Sequence, residues 1–259
     1  MNILFLAAGS GKRFKDVGVT TPKPLIKVNG KSILEWTSRS LPFIPHLDIS
    51  SSIPTNSLYF AILKEHETHD ITSALNSIYG SDINIISFEK LTRGNMQTAY
   101  MCATLMNADE PLLILDCDNK YNDNNLLETI NKAENNGIQD NMIVCYFDPL
   151  DQSSKWSFAT FSNDEKVKEI LEKDPNALKA GGKPLIGTFW FQKTELFLKY
   201  SRFLIGNNLM TGIRGKEEFY MSQIPAMHAL NNKSVLAHKV TNVVPLGTPE
   251  DIEKFKEKI

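Results

Sequence analysis

The chain opens with Ile3-Leu4-Phe5-Leu6-Ala7-Ala8 and turns at once through Gly9-Ser10-Gly11-Lys12-Arg13-Phe14. The first run is apolar throughout, which is typical of a strand covered on both faces of a parallel sheet. The two glycines allow a tight turn and let backbone N–H groups come close to a ligand. We therefore predict a buried first strand followed by a ligand-binding loop. A signal peptide is not expected, because the run lacks a basic start.

Further apolar runs alternate with helical patterns along most of the chain, as in α/β proteins with parallel strands. The predicted strands cover residues 3–8, 58–63, 83–88, 112–115, 142–147 and 185–191. The predicted helices cover residues 32–40, 66–79, 96–106, 124–135 and 249–258. Shorter strands at 156–161 and 167–171 predict a small sheet region appended to the main one. The fold class is thus α/β, with a mixed, mostly parallel sheet and helices on both faces.

Composition excludes several classes of protein. The 259 residues are 42% hydrophobic and 22% charged, proportions that indicate a globular chain. A net charge of −2 gives no reason to expect binding to nucleic acid or to an anionic membrane. No apolar stretch reaches the ~18 residues of a membrane span. Three cysteines without a C-x-x-C spacing fit a reducing compartment, so we predict a soluble, cytoplasmic protein.

Three cations stand close to the glycine loop. Lys12 and Arg13 follow the glycines, and Lys23 lies between Pro22 and Pro24, which stiffen the chain around it. This combination suits a triphosphate, whose oxygens need hydrogen-bond donors and positive charge. The spacing fits neither a Walker loop, which would need glycine at position 6, nor the dinucleotide fingerprint, which would need glycine at position 14.

Two carboxylates end the apolar run at residues 112–115, in the order Asp116-Cys117-Asp118. Neighbouring carboxylates repel each other, and a bound Mg²⁺ relieves that repulsion while it holds phosphate oxygens. Ligands of open α/β sheets bind at this edge of the sheet. The segment therefore predicts a Mg²⁺ site, while a loop capped by Asp and Asn is the structural alternative.

Taken together, these segments resemble the bacterial sugar-phosphate nucleotidyltransferases (nucleoside diphosphate-sugar pyrophosphorylases), and in particular a branch met in capsule and surface-polysaccharide gene clusters. The segments that carry the resemblance lie at residues 6–14, 22–26, 91–94, 115–119, 155–159, 172–173, 186–191, 218–220 and 246–251. The resemblance implies a Rossmann-like fold and one nucleotidyltransferase domain over residues 1–259. Residues 1–150 would mainly bind the nucleoside triphosphate, and residues 151–259 would mainly bind the acceptor.

The resemblance also implies roles on the nucleotide side. Gly9 and Gly11 would hold the triphosphate through backbone amides, and Gly94 would present backbone groups to the base. Ala8 and Asp116 would complete the nucleotide-binding set. Which base is bound does not follow from one sequence.

Catalytic and acceptor roles follow in the same way. Arg13 would neutralise the β- and γ-phosphates, and Lys23 would bridge the α-phosphate and the acceptor's phosphate. Asp118 would bind Mg²⁺ as the cofactor. The acceptor would be held by Glu172, Lys173 and Gly187.

One position departs from the family pattern. Many relatives carry a second metal-binding Asp two residues before the Gly of a Gly-Thr-Pro-Glu-Asp segment, where this chain has Pro245. Proline has no group that ligates a cation. A second carboxylate would have to come from Asp116, Glu217 or Glu218, unless the metal relies on Asp118 and phosphates alone.

The expected reaction transfers a nucleoside monophosphate to a phosphorylated small molecule and releases pyrophosphate. A sugar 1-phosphate is the first expectation for the acceptor, and a non-sugar phosphate such as phosphocholine or a phosphorylated amino-acid amide is the second. A metal-dependent glycosyltransferase would also place a D-x-D at a strand end, but it would not need Arg13 and Lys23. A non-catalytic nucleotide-binding module is the remaining alternative. Expected partners are the two substrates, without nucleic acid or membrane, and a homo-oligomer is left open.

Overall fold

The structure of the chain is a computed structural model that describes residues 1–162 and 166–257. It has a mixed α/β fold, in which a mostly parallel central sheet is flanked by helices and accompanied by small antiparallel sheets. The fold class predicted from the alternation of apolar runs and helical patterns is confirmed. Among the described residues, no helix combines the length and the apolar composition needed to cross a membrane.

The strands, numbered in chain order, are β1 (Asn2–Leu6), β2 (Lys27–Val28), β3 (Lys31–Ser32), β4 (Leu58–Leu63), β5 (Asn84–Phe88), β6 (Leu112–Asp116), β7 (Asn119–Asn122), β8 (Met142–Tyr146), β9 (Ser157–Phe161), β10 (Val167–Glu172), β11 (Lys183–Phe191), β12 (Val235–Lys239) and β13 (Thr241–Pro245). The α-helices are α1 (Lys12–Lys15), α2 (Ile33–Ser38), α3 (Ile71–Tyr79), α4 (Asn95–Ala103), α5 (Leu126–Asn135), α6 (Thr194–Gly206), α7 (Gln223–Leu230) and α8 (Pro249–Lys256). Short 3₁₀ helices cover Lys23–Leu25, Thr55–Ser57 and Lys64–His69.

Each of the five predicted helices differs from the structure at one end or at both. The helix expected over residues 66–79 is divided at Asp70, whose φ of 54° is left-handed and ends the 3₁₀ turn before α3 begins. The helix expected over residues 249–258 is described as far as Lys256, and Lys258 lies outside the described residues.

The chain folds into two compact units. Unit 1 consists of Met1–Asn2, Thr92–Ile114 and Asn125–Val240, and unit 2 consists of Ile3–Leu91, Leu115–Asn124 and the stretch from Thr241 onward. Each unit therefore combines segments that are distant in sequence. The glycine loop, Lys23 and the Asp116–Asp118 segment belong to unit 2, whereas Gly94, Glu172, Lys173 and Gly187 belong to unit 1.

Unit 2 contains a parallel arrangement of β1, β4 and β5, in which Ile3 pairs with Leu58 and Tyr59 pairs with Asn84. The predicted burial of the first strand is confirmed, because all five residues of β1 are buried. Phe5 of β1 stacks on Phe60 of β4 with ring centroids 5.0 Å apart. This packing fixes the end of β1, from which the glycine loop leaves.

Unit 1 contains five strands in the order β12-β8-β11-β9-β10. β8 and β12 are parallel, while β11 is antiparallel to both β8 and β9. The pairing of β11 with β8 shifts register between Leu185 and Phe189, and Gly187 within this interval has φ 78°. A glycine accommodates such a bulge without strain. β10 runs antiparallel to β9 and ends at Glu172.

Candidate functional site

The glycine loop of unit 2 joins β1 to α1 and contains Gly9 and Gly11. The structural reason for a glycine differs between these two positions. Gly11 has φ 62°, and a Cβ on it would lie 3.6 Å from the Cβ of Lys23. A Cβ on Gly9 would have no heavy atom within 4 Å, so packing does not require glycine there. The first hydrogen bond of α1 runs from the Phe14 N–H to the Gly11 carbonyl, which leaves the preceding N–H groups for a ligand. Ala8 is half-buried at the start of this loop.

Lys23 is held by the chain on both sides of it. Pro22 and Pro24 are buried, and Lys23, which lies between them, is the first residue of a short 3₁₀ helix. Its Nζ donates to Oδ2 of Asp118 over 2.7 Å, and the side chains of the two residues are only 17% and 25% exposed. The structure thus places together, within unit 2, two residues that are 95 positions apart and that the sequence analysis assigned to catalysis and to metal binding.

Electrostatics keep Lys23 charged. Burial acts to lower the pKa of Lys23, but the charge of Asp118, its hydrogen bond and a smaller contribution from Asp116 outweigh burial, so the pKa is raised. Burial also raises the pKa of the neighbouring Cys117 thiol to about 12, so without a bound metal this thiol is protonated at neutral pH. The cationic ammonium and the carboxylate are the reactive groups of this cluster.

Asp118 is fixed from several directions. Its Oδ1 accepts a hydrogen bond from the Asn119 side-chain amide over 3.0 Å, and its backbone carbonyl accepts from the Leu246 N–H over 2.8 Å. A Cβ on Gly247 would lie 3.1 Å from Asp118 Oδ2, so a larger residue at 247 would press on this carboxylate. The turn at Leu246 and Gly247 therefore helps to position Asp118, which lies in the bend between β6 and β7.

A buried apolar cluster holds the pieces of this site together in unit 2. It includes Phe14 of α1, Val28 of β2, Leu246 before the turn, and Ile252 and Phe255 of α8. Because these side chains pack against one another, α1 and the start of α8 are anchored to the same core as the turn beside Asp118. Packing of this kind is what keeps a polar site in a defined geometry.

Arg13 is exposed on α1. The pKa of Glu250 is lowered by hydrogen bonds from its own backbone N–H and from the Thr248 hydroxyl, and Arg13 is one of the cations that add to this effect. The guanidinium therefore lies near the first turn of α8. It is available to an anionic ligand, whereas Lys12 is engaged with Asp16 over 3.0 Å.

In unit 1, Glu172 is the centre of a second polar cluster. Its Oε2 accepts hydrogen bonds from the hydroxyls of Ser157 and Ser222, each over 2.5 Å. Glu172 and Ser222 also line a cavity of about 190 Å³, whose walls include Ile170 and Met227. A carboxylate that is held by two hydroxyls beside an open cavity can accept hydrogen bonds from the hydroxyl groups of a small polar ligand.

Lys173 departs from the regular strand in which Glu172 ends. It has φ 51°, an unusual value for a residue with a side chain, and its N–H donates to the Trp156 carbonyl over 3.1 Å. Its Nζ donates to the Tyr220 hydroxyl over 2.5 Å and lies 4.2 Å from the centre of that ring. Strained backbone of this kind is maintained only where the surroundings require it, which supports a functional role for Lys173.

Gly94 is required by a close backbone approach in unit 1. Its φ is 141°, and a Cβ would lie 2.5 Å from both the N and the O of Phe219. The Phe219 N–H donates to the Arg93 carbonyl, and the Phe219 carbonyl accepts from the Met96 N–H at the start of α4. Packing alone thus explains this glycine. Binding of a base at Gly94 stays a prediction.

Several residues of the site were not singled out from the sequence. Tyr220 and Gly247 lie in segments that carried the family resemblance, which was the available signal for them. Ser222 gave no signal, because a serine is common in any turn, and Asn119 lay in the segment at residues 115–119 without being assigned a role. Their involvement depends on tertiary contacts.

Comparisons with known proteins bear on the family and the fold of the chain. Residues 2–205 match the family model described as "Nucleotidyl transferase". The structure is similar to the nucleoside-diphosphate-sugar pyrophosphorylase of Vibrio cholerae RC9, with a TM-score of 0.75 and 17% identity over 99% of this chain and 100% of that chain.

Two further structures share the fold. A putative glucose-1-phosphate thymidylyltransferase of Bacillus anthracis, solved in complex with a sucrose, has a TM-score of 0.70 and 17% identity over 100% of this chain and 94% of that one. The inositol-1-phosphate CTP transferase of T. maritima has a TM-score of 0.65 and 12% identity over 100% and 97%. No curated protein matches the sequence significantly. Because the family model covers residues 2–205, most of the 259-residue chain, this protein belongs to the nucleotidyl transferase family.

Proposed function

We propose that this enzyme transfers a nucleoside monophosphate from a nucleoside triphosphate to a sugar 1-phosphate and releases pyrophosphate. The observation that carries the proposal is the Lys23–Asp118 pair beside the glycine loop. It joins a fixed cation to a carboxylate that lies two residues beyond the end of the buried strand β6. Residues of the 1–150 half would mainly bind the triphosphate, and residues of the 151–259 half would mainly bind the acceptor.

Catalysis of this reaction depends on positioning the two substrates and neutralising their charge more than on acid–base catalysis. A phosphate monoester dianion is already a nucleophile, so it can attack the α-phosphorus in line without a general base. Gly9 and Gly11 would hold the triphosphate through backbone N–H groups, and Arg13 would neutralise the departing pyrophosphate. Lys23 would neutralise charge at the α-phosphate, where it rearranges in the transition state.

The carboxylates fit a divalent cation, which members of this family typically use. Asp118 offers hard oxygen ligands, and the ammonium of Lys23 already occupies the place of a cation at its Oδ2. Gly247 has no side chain, so the position next to this oxygen that a Cβ would take, 3.1 Å away, is left free. Mg²⁺ is commonly held by one or two carboxylates together with substrate phosphates. When bound, it would neutralise phosphate oxygens.

The acceptor side supports a polyhydroxylated phosphate ester. Glu172 would accept hydrogen bonds from its hydroxyl groups, and Lys173 would bind its phosphate. Gly187 would leave room beside β11. A cytidylyltransferase acting on a non-sugar phosphate is the second candidate, since the T. maritima structure is an inositol-1-phosphate CTP transferase. We place the reaction in the cytoplasm, as a step toward capsule or surface-polysaccharide precursors.

The direct test is pyrophosphate release from each of the four nucleoside triphosphates with Mg²⁺ and a panel of phosphorylated acceptors. We expect one base and one acceptor class to give turnover that depends on both substrates. Transfer from a ready-made nucleotide-sugar without pyrophosphate would instead indicate a glycosyltransferase. Tight triphosphate binding without turnover on any acceptor would indicate a non-catalytic nucleotide-binding module.

Lys173→Ala is expected to weaken use of the acceptor far more than use of the triphosphate. A charge-assisted contact to phosphate contributes about 1.5–3 kcal/mol, so kcat/KM for the acceptor should fall about tenfold to a hundredfold, mainly through KM. The exposed Lys179 provides a matched lysine-to-alanine control. Tyr220→Phe, which keeps the ring but removes the hydroxyl, should have a smaller effect. Unchanged acceptor kinetics in Lys173→Ala would make Lys173 a structural residue.

A further inference from the structure

We propose that Asp251 supplies the second carboxylate of the divalent-cation site at Asp118, in place of the residue at position 245. The inference rests on the proposed function, because it concerns the cation that this reaction needs. It also accounts for Pro245, which stands where many relatives carry a metal-binding Asp. The proline side chain has no atom that can ligate a cation. In β13 this proline pairs with Asn119 of β7, so its role there is to end the strand beside Asp118.

The geometry around Gly247 points to Asp251. A Cβ on Gly247 would lie 3.1 Å from Oδ2 of Asp118 and 4.0 Å from Oδ2 of Asp251. Both carboxylates therefore border the position that a side chain of residue 247 would take, and glycine keeps that position free of a side chain. An oxygen-lined gap between two carboxylates is the environment that a hard cation such as Mg²⁺ takes.

The position of Asp251 is fixed by the fold. It lies in the first turn of α8, where its backbone N–H donates to the Thr248 hydroxyl over 3.1 Å. The next residue, Ile252, is buried in the apolar cluster that also contains Leu246. The backbone at Leu246 and at Ile252 is thus anchored to one core. Because the side chain of Asp251 is short, its carboxylate stays near Gly247.

Charge balance favours the same assignment. Within the described residues, the Asp251 carboxylate has neither a hydrogen-bond donor nor an ion-pair partner, whereas Asp118 Oδ2 is paired with Lys23. The carboxylate of Glu217 accepts the Gly215 N–H in its own turn and belongs to unit 1. No group of three or more His, Cys, Asp or Glu side chains gathers anywhere in the described part of the chain. Two carboxylates completed by phosphate oxygens and water match the usual coordination of Mg²⁺.

The test measures cation binding directly. Mn²⁺ would be titrated into the full-length protein and followed by electron paramagnetic resonance, both alone and with inorganic pyrophosphate, which avoids the choice of a base. We expect Asp251→Asn to raise the dissociation constant of Mn²⁺ on the order of tenfold. Glu253→Gln is the matched control, because it removes an exposed carboxylate from the same helix, where Glu253 is paired with Lys256 over 2.7 Å.

Two further variants separate the possible outcomes. Asp118→Asn should weaken Mn²⁺ binding at least as much as Asp251→Asn, and Gly247→Ala should weaken it by filling the gap. If Asp118→Asn weakens binding while Asp251→Asn and Glu253→Gln behave alike, Asp251 is not a ligand and the proposed function stands. If the parent protein does not bind Mn²⁺ even with pyrophosphate, or if Asp118→Asn binds it as the parent does, the cation site itself is wrong. Loss of folding in Asp251→Asn would be seen in its circular dichroism, and Asp251→Ser, which removes the carboxylate but keeps a small polar side chain in the first turn of α8, would then decide the proposal by the same titration.

Discussion

Lys23→Ala is expected to lower kcat by about a hundredfold to a thousandfold and, at the same time, to tighten the binding of Mn²⁺. The first effect follows because the ammonium would act where charge rearranges at the α-phosphate, and a fixed group of this kind is typically worth that much in rate. The second follows because the variant removes the cation that is paired with Asp118 Oδ2. Steady-state kinetics and a Mn²⁺ titration measure the two effects separately.

The opposite directions of these effects make the prediction specific. General damage to the site would lower turnover and cation affinity together. Lys27→Ala is a suitable control, because Lys27 is exposed four residues away on β2. A Lys23→Ala variant with unchanged kcat would exclude Lys23 from catalysis. Weaker Mn²⁺ binding in it would show that the lysine supports the cation site and does not compete with the cation.

The fold was largely predictable because its strands are short, apolar runs between polar turns. The strand at residues 58–63 was predicted with the bounds it has in the structure, and the bounds of β1, β6 and β8 differ by at most two residues. Burial on both faces leaves such strands with a continuous apolar sequence, which is a strong local signal.

Two helices, α6 and α7, were not predicted from the sequence, each for an identifiable reason. In α6 the consecutive residues Leu196, Phe197 and Leu198 are all buried, so the sequence there does not show the alternation of an amphipathic helix. α7 contains Pro225 at its third position, where a proline is tolerated in the first turn but is usually taken as a break. Tertiary packing, not local propensity, decides both elements.

The candidate site was predictable as a set of residues but not as a set of contacts. Local motifs indicated Lys23 and Asp118, yet their ion pair joins positions 95 residues apart. The left-handed backbone of Lys173 and its contact with Tyr220 likewise depend on how β10 meets a segment 47 residues later. The closeness of Gly247 to the Asp118 and Asp251 carboxylates was not predictable, because the segment at residues 246–251 indicated only the family resemblance and the start of a helix.

Asp118→Asn is expected to abolish most of the activity and to remove its dependence on Mg²⁺. A divalent cation contributes several kcal/mol to stabilising charge in the transition state, so turnover should fall by about a thousandfold if the cation is lost. Asparagine has nearly the same shape, and its single amide oxygen can still accept a hydrogen bond from either Lys23 or Asn119, so the folded structure should survive. The lost charge also removes the main reason why the pKa of Lys23 is raised, leaving burial to lower it.

The measurement is initial rate against Mg²⁺ concentration for the parent and the variant, together with thermal melting. Glu89→Gln serves as the control, because it removes one carboxylate of an exposed pair, with Lys64, and exposed pairs contribute only about 0–1 kcal/mol. We expect the control to retain the parent's Mg²⁺ response. An Asp118→Asn enzyme that responds to Mg²⁺ as the parent does would show that its carboxylate is not a principal ligand. The cation would then have to be held by other oxygens of unit 2 and the phosphates, and the interpretation of the Lys23–Asp118 pair as the core of the site would be wrong.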